Sequence, residues 1–111
     1  MEQQGRTEVD PWVEELRVHF ADMEGENLKI LIPDARQMIT RNLQGWRAYD
    51  DDRLGRAMRE LGFDRRHLRL KGEGRFYHYV RGSGPWKRVR VYVDSNSTVR
   101  VSLTPEADLD D

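Results

Sequence analysis

One stretch of the sequence, residues 50–81, restricts the possible folds more than any other. It starts with an acidic triplet, Asp50-Asp51-Asp52, continues with helix-forming residues up to Gly62, and then alternates apolar and cationic residues around Gly72-Glu73-Gly74. Acids are favoured at the positive end of a helix, glycine commonly ends helices, and alternation is typical of strands. The stretch therefore predicts a helix over residues 51–61, followed by a β-hairpin.

The hairpin residues also predict how the two strands pair. A two-residue loop would place Leu70 opposite Arg75 and mix apolar with charged side chains on both faces. A three-residue loop, Gly72-Glu73-Gly74, separates them better. One face is then expected to be the apolar one, containing Leu68, Leu70, Phe76 and Val80, with Arg66 and His78 among them. The other, outer face is expected to carry cations and tyrosines: Arg65, His67, Arg69, Lys71, Arg75, Tyr77, Tyr79 and Arg81.

Two further helices and a short strand are predicted upstream. Asp10 and Pro11 suit the N-cap and first position of a helix that we expect to end near Gly25. Residues 28–32 predict a short strand, and Asp34 can cap a second helix that ends near Gly45. Apolar residues spaced by three or four predict the buried faces of both helices: Trp12, Val13, Leu16, Phe20, Met23, Ala35, Met38, Ile39 and Leu43. The aromatic residues after the second helix, Trp46 and Tyr49, are expected to wedge between helices.

Two more strands are predicted downstream of the first hairpin, over residues 86–93 and 98–103, with a turn at residues 95–97. They would form a second hairpin or extend the first sheet. The predicted fold class is α+β: a winged helix-turn-helix, with three helices packed on a small antiparallel sheet, and an additional C-terminal β-hairpin. We expect residues 1–8 to be a disordered leader, residues 9–103 the domain, and residues 104–111 an acidic disordered tail.

Composition excludes several function classes. The 111-residue chain has no cysteine, so disulfides, thiolate nucleophiles and thiolate zinc sites are ruled out. Neither a signal peptide nor an apolar run near the roughly 20 residues that span a bilayer is present, which predicts a cytoplasmic protein without membrane association. The histidines, His19, His67 and His78, lack a metal-binding spacing. We therefore predict no enzyme activity, no metal and no cofactor.

Charge distribution favours nucleic-acid binding more than the net charge of −1 does. Residues 63–93 contain nine lysines and arginines against two acids. Such cations neutralise phosphates, tyrosines among them can stack on bases, and the third helix of a helix-turn-helix enters the major groove. The Asp triplet counts against binding, since it would approach phosphates. The predicted binding residues, with the hairpin as the larger part, are Arg53, Arg56, Arg59, Arg65, Arg66, His67, Arg69, Lys71, Arg75, Tyr77, Arg81, Lys87 and Arg88.

Three segments carry a resemblance to a known family: Asp10-Pro11-Trp12, Arg53-Leu54-Gly55-Arg56-Ala57-Met58-Arg59-Glu60-Leu61-Gly62-Phe63 with the following Arg65-Arg66-His67, and Phe76-Tyr77-His78-Tyr79-Val80. They resemble the C-terminal winged-helix region of phage and prophage primase-helicase proteins, of the virulence-associated protein E group and its poxvirus-type relatives. The resemblance covers residues 9–81.

This resemblance implies an accessory module that binds single- or double-stranded DNA. It also implies an ATPase or primase domain, in the same chain or in a partner, as a second contact. The residues that match the family's third helix and wing are Arg53, Arg56, Arg59, Arg65, Arg66, Arg69, Lys71 and Arg75. Because the sequence has no phosphate loop, nucleotide hydrolysis is not carried over. The alternative is a protein–protein interaction module that does not bind nucleic acid.

Overall fold

The computed structural model describes residues 10–40, 43–70 and 72–104. The expected leader, all but the first residue of the expected acidic tail, and Lys71 lie outside these ranges. The helices are α1 (Pro11–His19), α2 (Ile32–Ile39) and α3 (Ala48–Glu60), and the strands are β1 (Leu28–Leu31), β2 (Asp64–Leu70), β3 (Gly74–Arg81), β4 (Lys87–Val93) and β5 (Val99–Leu103). The α+β class and both hairpins are confirmed. None of the helices in the described ranges is long and apolar enough to cross a membrane.

The strands form one sheet in the order β2-β3-β1-β4-β5. β1 is antiparallel to β3, whereas Leu28 and Lys29 of β1 pair in parallel with Lys87 and Arg88 of β4. The second hairpin therefore extends the first sheet and makes it mixed. Because β3 occupies one edge of β1, β4 joins at the other edge, where Lys87 N–H also donates to the carbonyl of Asn27 at 2.8 Å.

The main core lies between the three helices and one face of the sheet. The sheet contributes Leu28, Ile30, Tyr79 and Val89, all of which are buried. Ile30 is directly opposite Tyr79, and directly opposite residues point to the same face. The helices and the segments that follow them contribute Val13, Leu16, Phe20, Met23, Ala35, Met38, Leu54, Ala57, Met58 and Phe63. The buried faces predicted for the first two helices are confirmed, with Trp12 and Ile39 partly buried against this core. The side chain of Leu43 lies outside the described part of the chain.

The expected orientation of the first hairpin was wrong. Tyr79, which was assigned to the outer face, points towards the helices and is only 4% exposed. Leu68 and Val80 lie on the opposite face of the sheet, where they form a second apolar cluster with Trp86. Phe76 is 41% exposed. Both faces of this sheet bury apolar side chains, so alternation alone could not tell which face meets the helices.

The loop of the first hairpin also differs from the expected one. Leu70 pairs with Gly74, so three residues separate the strands and the loop starts one position earlier than predicted. Gly72 and Gly74 both have positive φ, of 77° and 102°, which glycine adopts without the steric cost of a Cβ. Two positions of this turn therefore favour glycine. Since both loops contain three residues, the side chains keep the predicted division between faces.

Several helix boundaries differ from the expected ones. α1 ends at His19 and is followed by a 3₁₀ turn, Ala21–Met23. α2 begins at Ile32, with proline in its first turn, and ends at Ile39. α3 begins at Ala48, so the acidic triplet lies inside the first turns instead of starting the helix.

The two aromatic residues near the start of α3 differ in their environments. Trp46 stacks on Trp12 of α1, with ring centroids 5.7 Å apart and an interplanar angle of 14°. Tyr49 is 68% exposed, so its expected position between helices was wrong. Its place in the first turn of α3 directs it to solvent, whereas Trp46 precedes the helix and packs back onto α1.

Leu54 tests the assignment of the buried face of α3. Its side chain is completely buried, so we expect Leu54→Ala to lower the free energy of unfolding by about 2–5 kcal/mol, through lost transfer energy and a residual cavity. Val18 of α1 is 73% exposed, and Val18→Ala should change stability by less than about 0.5 kcal/mol. Urea denaturation followed by circular dichroism measures both. Equal effects of the two substitutions would contradict the assignment.

Candidate nucleic-acid interface

Three of the predicted binding residues form hydrogen bonds or ion pairs within the protein. Arg53 donates from Nε and Nη2 to the carboxylate of Asp10, at 2.8 and 2.6 Å, and its guanidinium lies 4.0 Å from the centre of the Trp12 ring. Arg81 and Lys87 have comparable roles. Arg81 donates to the carbonyl of Met23 at 2.8 Å, and the Lys87 ammonium lies 3.0 Å from a carboxylate oxygen of Glu26. A phosphate would have to compete with these internal contacts.

The first hairpin carries the largest group of predicted residues that remain exposed together. We define the hairpin surface as Arg65, His67, Arg69, Arg75 and Tyr77, which all lie on the face of β2 and β3 that Tyr79 also occupies. Tyr79 is covered by α3, whereas the hairpin surface lies nearer the loop and is exposed. The side of the hairpin that was expected to bind is therefore accessible, although it is the side that faces the helices.

Tyr77 is the centre of the hairpin surface. The His67 and Tyr77 rings are stacked with centroids 4.4 Å apart, and the guanidinium carbon of Arg65 lies 4.4 Å from the centroid of the Tyr77 ring. Tyr77 is nevertheless 49% exposed. Arg75 donates from Nη1 to the His67 carbonyl at 3.2 Å and lies directly opposite Arg69. The register thus places aromatic rings and guanidinium groups side by side.

Helix α3 adds two more cations next to this surface. Arg56 and Arg59 are exposed, and within the described ranges neither forms an ion pair. Together with Arg65 of β2 they line one cavity between α3 and the hairpin. The structure thus brings the third helix and the hairpin together at these three residues.

The remaining predicted residues lie elsewhere. Arg66 is on the opposite face of the sheet, with its guanidinium carbon 5.7 Å from the centroid of the Trp86 ring. Arg88 is next to Lys29 in the register of β1 and β4, and it lies half-buried on the same face of the sheet as Arg66. Lys71 lies outside the described residues. The sheet therefore separates Arg66 and Arg88 from the hairpin surface.

The acidic triplet should repel a phosphate less than we expected from the sequence, because two of its three carboxylates form contacts within the protein. The Asp50 carboxylate accepts from the backbone N–H of Arg47 at 2.9 Å, which satisfies a donor at the start of α3. Asp51 accepts from Arg36 at 3.0 and 3.1 Å and from the indole N–H of Trp46 at 2.8 Å. Asp52 is the one residue of the triplet in the exposed class, and it lines the cavity between α3 and the hairpin.

Tyr79 and Gly55 are the residues that the sequence reasoning missed. A Cβ at Gly55 would lie 3.4 Å from the Tyr79 hydroxyl oxygen, so the phenol lies against the α3 backbone. Burial raises the pKa of Tyr79, so the phenol stays protonated at neutral pH and can donate a hydrogen bond. Glycine inside a helix lowers stability by about 0.5–1 kcal/mol relative to alanine. A glycine in the predicted helix could therefore have indicated that another side chain lies close to the helix backbone.

Comparisons with known proteins give no relatives for this chain. A scan against protein-family models, a search of curated proteins and a search of solved structures each found no match. The resemblance to phage primase-helicase proteins therefore rests on the sequence segments quoted above and stays a prediction.

Arg53→Gln tests the structural role of this cation. The side chains of Arg53 and Asp10 are 36% and 32% exposed, so solvent screening limits the pair, and we expect a loss of about 0.2–1 kcal/mol in the free energy of unfolding at pH 7. Arg17→Gln is the matched control, because its 3.5 Å pair with Glu14 is more exposed and should contribute less.

The stabilising effect of the Arg53–Asp10 pair should decrease as the pH is lowered. The hydrogen bonds from Arg53 hold the pKa of Asp10 below its ordinary value of 3.8. A depressed carboxyl pKa stabilises the folded state above 3.8, and this contribution is lost as pH falls below that value. Urea midpoints at pH 7 and pH 3 should therefore show a smaller difference between wild type and Arg53→Gln at the lower pH. If wild type and Arg53→Gln differ by the same amount at both pH values, the ion pair is not the cause of the loss of stability.

Proposed function

We propose that this chain is a nucleic-acid-binding winged-helix domain, an accessory module of a phage-type DNA replication protein of the primase-helicase kind. In a winged helix, three helices pack on a small antiparallel sheet, and the hairpin after the third helix forms the wing. The order α1-β1-α2-α3-β2-β3 and the antiparallel pairing of β1 with β3 and of β3 with β2 support this assignment. α3 would then be the helix nearest to DNA, and the β2–β3 hairpin the wing.

One observation carries the functional part of the proposal: the exposed Tyr77 ring stacked with His67 and Arg65. Arginines attract phosphates through counterion release, and exposed aromatic rings stack on bases without regard to sequence. A charged face that only keeps a strand soluble does not require aromatic rings among its cations. The combination favours a nucleic acid as the partner of the hairpin surface.

The wing is proposed as the larger part of the binding surface. Arg53 is held by Asp10, which leaves Arg56 and Arg59 as the exposed arginines of α3. The hairpin surface contains three arginines as well as Tyr77 and His67. Because the net charge of the chain is −1, attraction to DNA would depend on this local concentration of cations. The proposed role is non-catalytic, with any ATPase or primase activity supplied by a domain of the same or a partner chain.

A protein-interaction role is the second candidate, and the second hairpin supports it. Tyr92 and Val93 are 51% and 42% exposed. β5 lies at one edge of the sheet, and an edge strand can pair with an extended segment of another protein. This candidate predicts a partner at β4 and β5 and no dependence on Arg65 or Tyr77.

A DNA titration distinguishes the two functions. We expect labelled single-stranded or duplex DNA to bind at about 50 mM salt and to weaken steeply towards about 200 mM, because binding releases counterions. Charge reversal of Arg65, Arg69 and Arg75 to Glu should reduce affinity at least about tenfold and flatten the salt dependence. Fluorescence anisotropy measures both quantities.

The matched control reverses three charges on the opposite face of the sheet, at Arg66, Arg90 and Arg100. It changes net charge equally, so it should retain most of the affinity if the hairpin surface makes the contacts. Circular dichroism verifies that both triple variants fold. No binding by the wild type at low salt would exclude the DNA-binding function, and equal losses in the two variants would exclude the assigned face.

A further inference from the structure

A cavity of about 200 Å³ lies between α3 and the hairpin. Arg56 and Arg59 line it from the helix, and Arg65 and the Tyr79 phenol line it from the sheet. A smaller cavity of about 70 Å³ is also lined by Arg65 and Tyr79, and Arg36 lines it too. Four arginines therefore line this region, together with Asp51 and Asp52.

The Tyr79 hydroxyl is a hydrogen-bond donor at the wall of the cavity, next to Gly55. Since Gly55 has no side chain, the Tyr79 hydroxyl approaches the α3 backbone, with the oxygen 3.4 Å from where a Cβ would lie. The ring of Tyr79 belongs to the main core, and it is packed there. The phenol is thus held in place by packing before any ligand arrives, which lowers the entropic cost of binding.

We propose that this cavity is a phosphate subsite, in which Arg56, Arg59 and Arg65 bind one phosphate group and the Tyr79 hydroxyl donates a hydrogen bond to it. The identity of the ligand rests on the proposed function: the phosphate group is a phosphodiester of the bound nucleic acid. Arginine is suited to this role because its planar guanidinium donates two parallel hydrogen bonds to phosphate oxygens.

The acids at the cavity are compatible with this ligand. Asp51 forms an ion pair with Arg36 and accepts a hydrogen bond from the indole N–H of Trp46. Asp52 is the one carboxylate of the lining that makes no ion pair within the described ranges, and it would repel a phosphate. Three guanidinium groups outweigh this single charge. We expect Asp52 to weaken the subsite without abolishing it.

The size of the cavity limits the ligand. Pockets for drug-sized molecules measure roughly 300–1,000 Å³, so about 200 Å³ suits a phosphate group better than a whole nucleotide. Arg65 lines the cavity and also lies over Tyr77. A phosphate in the cavity would therefore bring the attached nucleoside close to the exposed Tyr77 ring, and the subsite would set the register of the strand on the wing.

Two variants in DNA titrations test the subsite when the wild type binds DNA. Arg59→Gln should weaken binding about three- to tenfold and reduce the slope of log affinity against log salt by about one, because one phosphate contact is lost. Tyr79→Phe keeps the ring in the core and removes only the hydroxyl. It should weaken binding about three- to tenfold with an unchanged slope, since no charge is removed. Arg90→Gln, on the opposite face, is the control.

Inorganic phosphate tests the subsite independently of DNA. In ¹⁵N-labelled wild type we expect a saturable shift of the Gly55 amide signal with phosphate, and none with chloride at equal ionic strength. The shift should be lost in Arg59→Gln and retained in Arg90→Gln. This titration decides the outcome when the wild type does not bind DNA.

The outcomes separate the subsite from the proposed function. If wild type binds DNA, and Arg59→Gln and Tyr79→Phe bind it equally well, the subsite is excluded and the DNA-binding function remains. If DNA does not bind but phosphate shifts Gly55, the subsite remains and its ligand is a small phosphate compound. If neither binds, both proposals are excluded.

Discussion

The first hairpin meets α3 where the Tyr79 hydroxyl lies against Gly55. Tyr79 is part of the main core, and its hydroxyl reaches the helix backbone at the one position where no side chain intervenes. Arg65 is directly opposite Tyr79 in the β2–β3 register. The packing of one ring therefore brings Arg65 to the exposed arginines of α3. The hairpin beyond this point extends past the helices and exposes Tyr77.

Within the described ranges, two groups of cations have different physical roles. Arg36, Arg53 and Lys87 pair with acids on other elements, and Arg81 donates to the carbonyl of Met23. These contacts connect α2 to α3, α1 to α3, and both hairpins to the segment that joins α1 to β1. The exposed arginines of α3 and the hairpin surface form the second group. A net charge near zero is compatible with local attraction of an anion, because a bound anion interacts mainly with the charges close to it, and here these include several exposed arginines.

The sheet buries apolar side chains on both faces, and this property limited what could be predicted. The alternation of β2 and β3 correctly divided the side chains into two sets, because strand geometry has a period of two. It could not assign the helices to one set, since Tyr79 in the cationic set is as well buried as Leu68 and Val80 in the other. The ring of a tyrosine can pack against a helix while its hydroxyl reaches a cavity. The residue type alone therefore does not indicate on which face of the sheet a tyrosine lies.

The sequence by itself determined the element types, the buried faces of the helices, the two hairpins and the concentration of cations in residues 63–93. These properties are local, because they follow from periodicity, capping residues and turn residues within about ten positions. Only the tertiary structure decided which cations are used internally, which face of the first hairpin meets α3, and that β4 joins β1 in parallel. Those outcomes depend on contacts between residues far apart in the chain, such as Arg53 with Asp10 and Tyr79 with Gly55, and no local pattern specifies them.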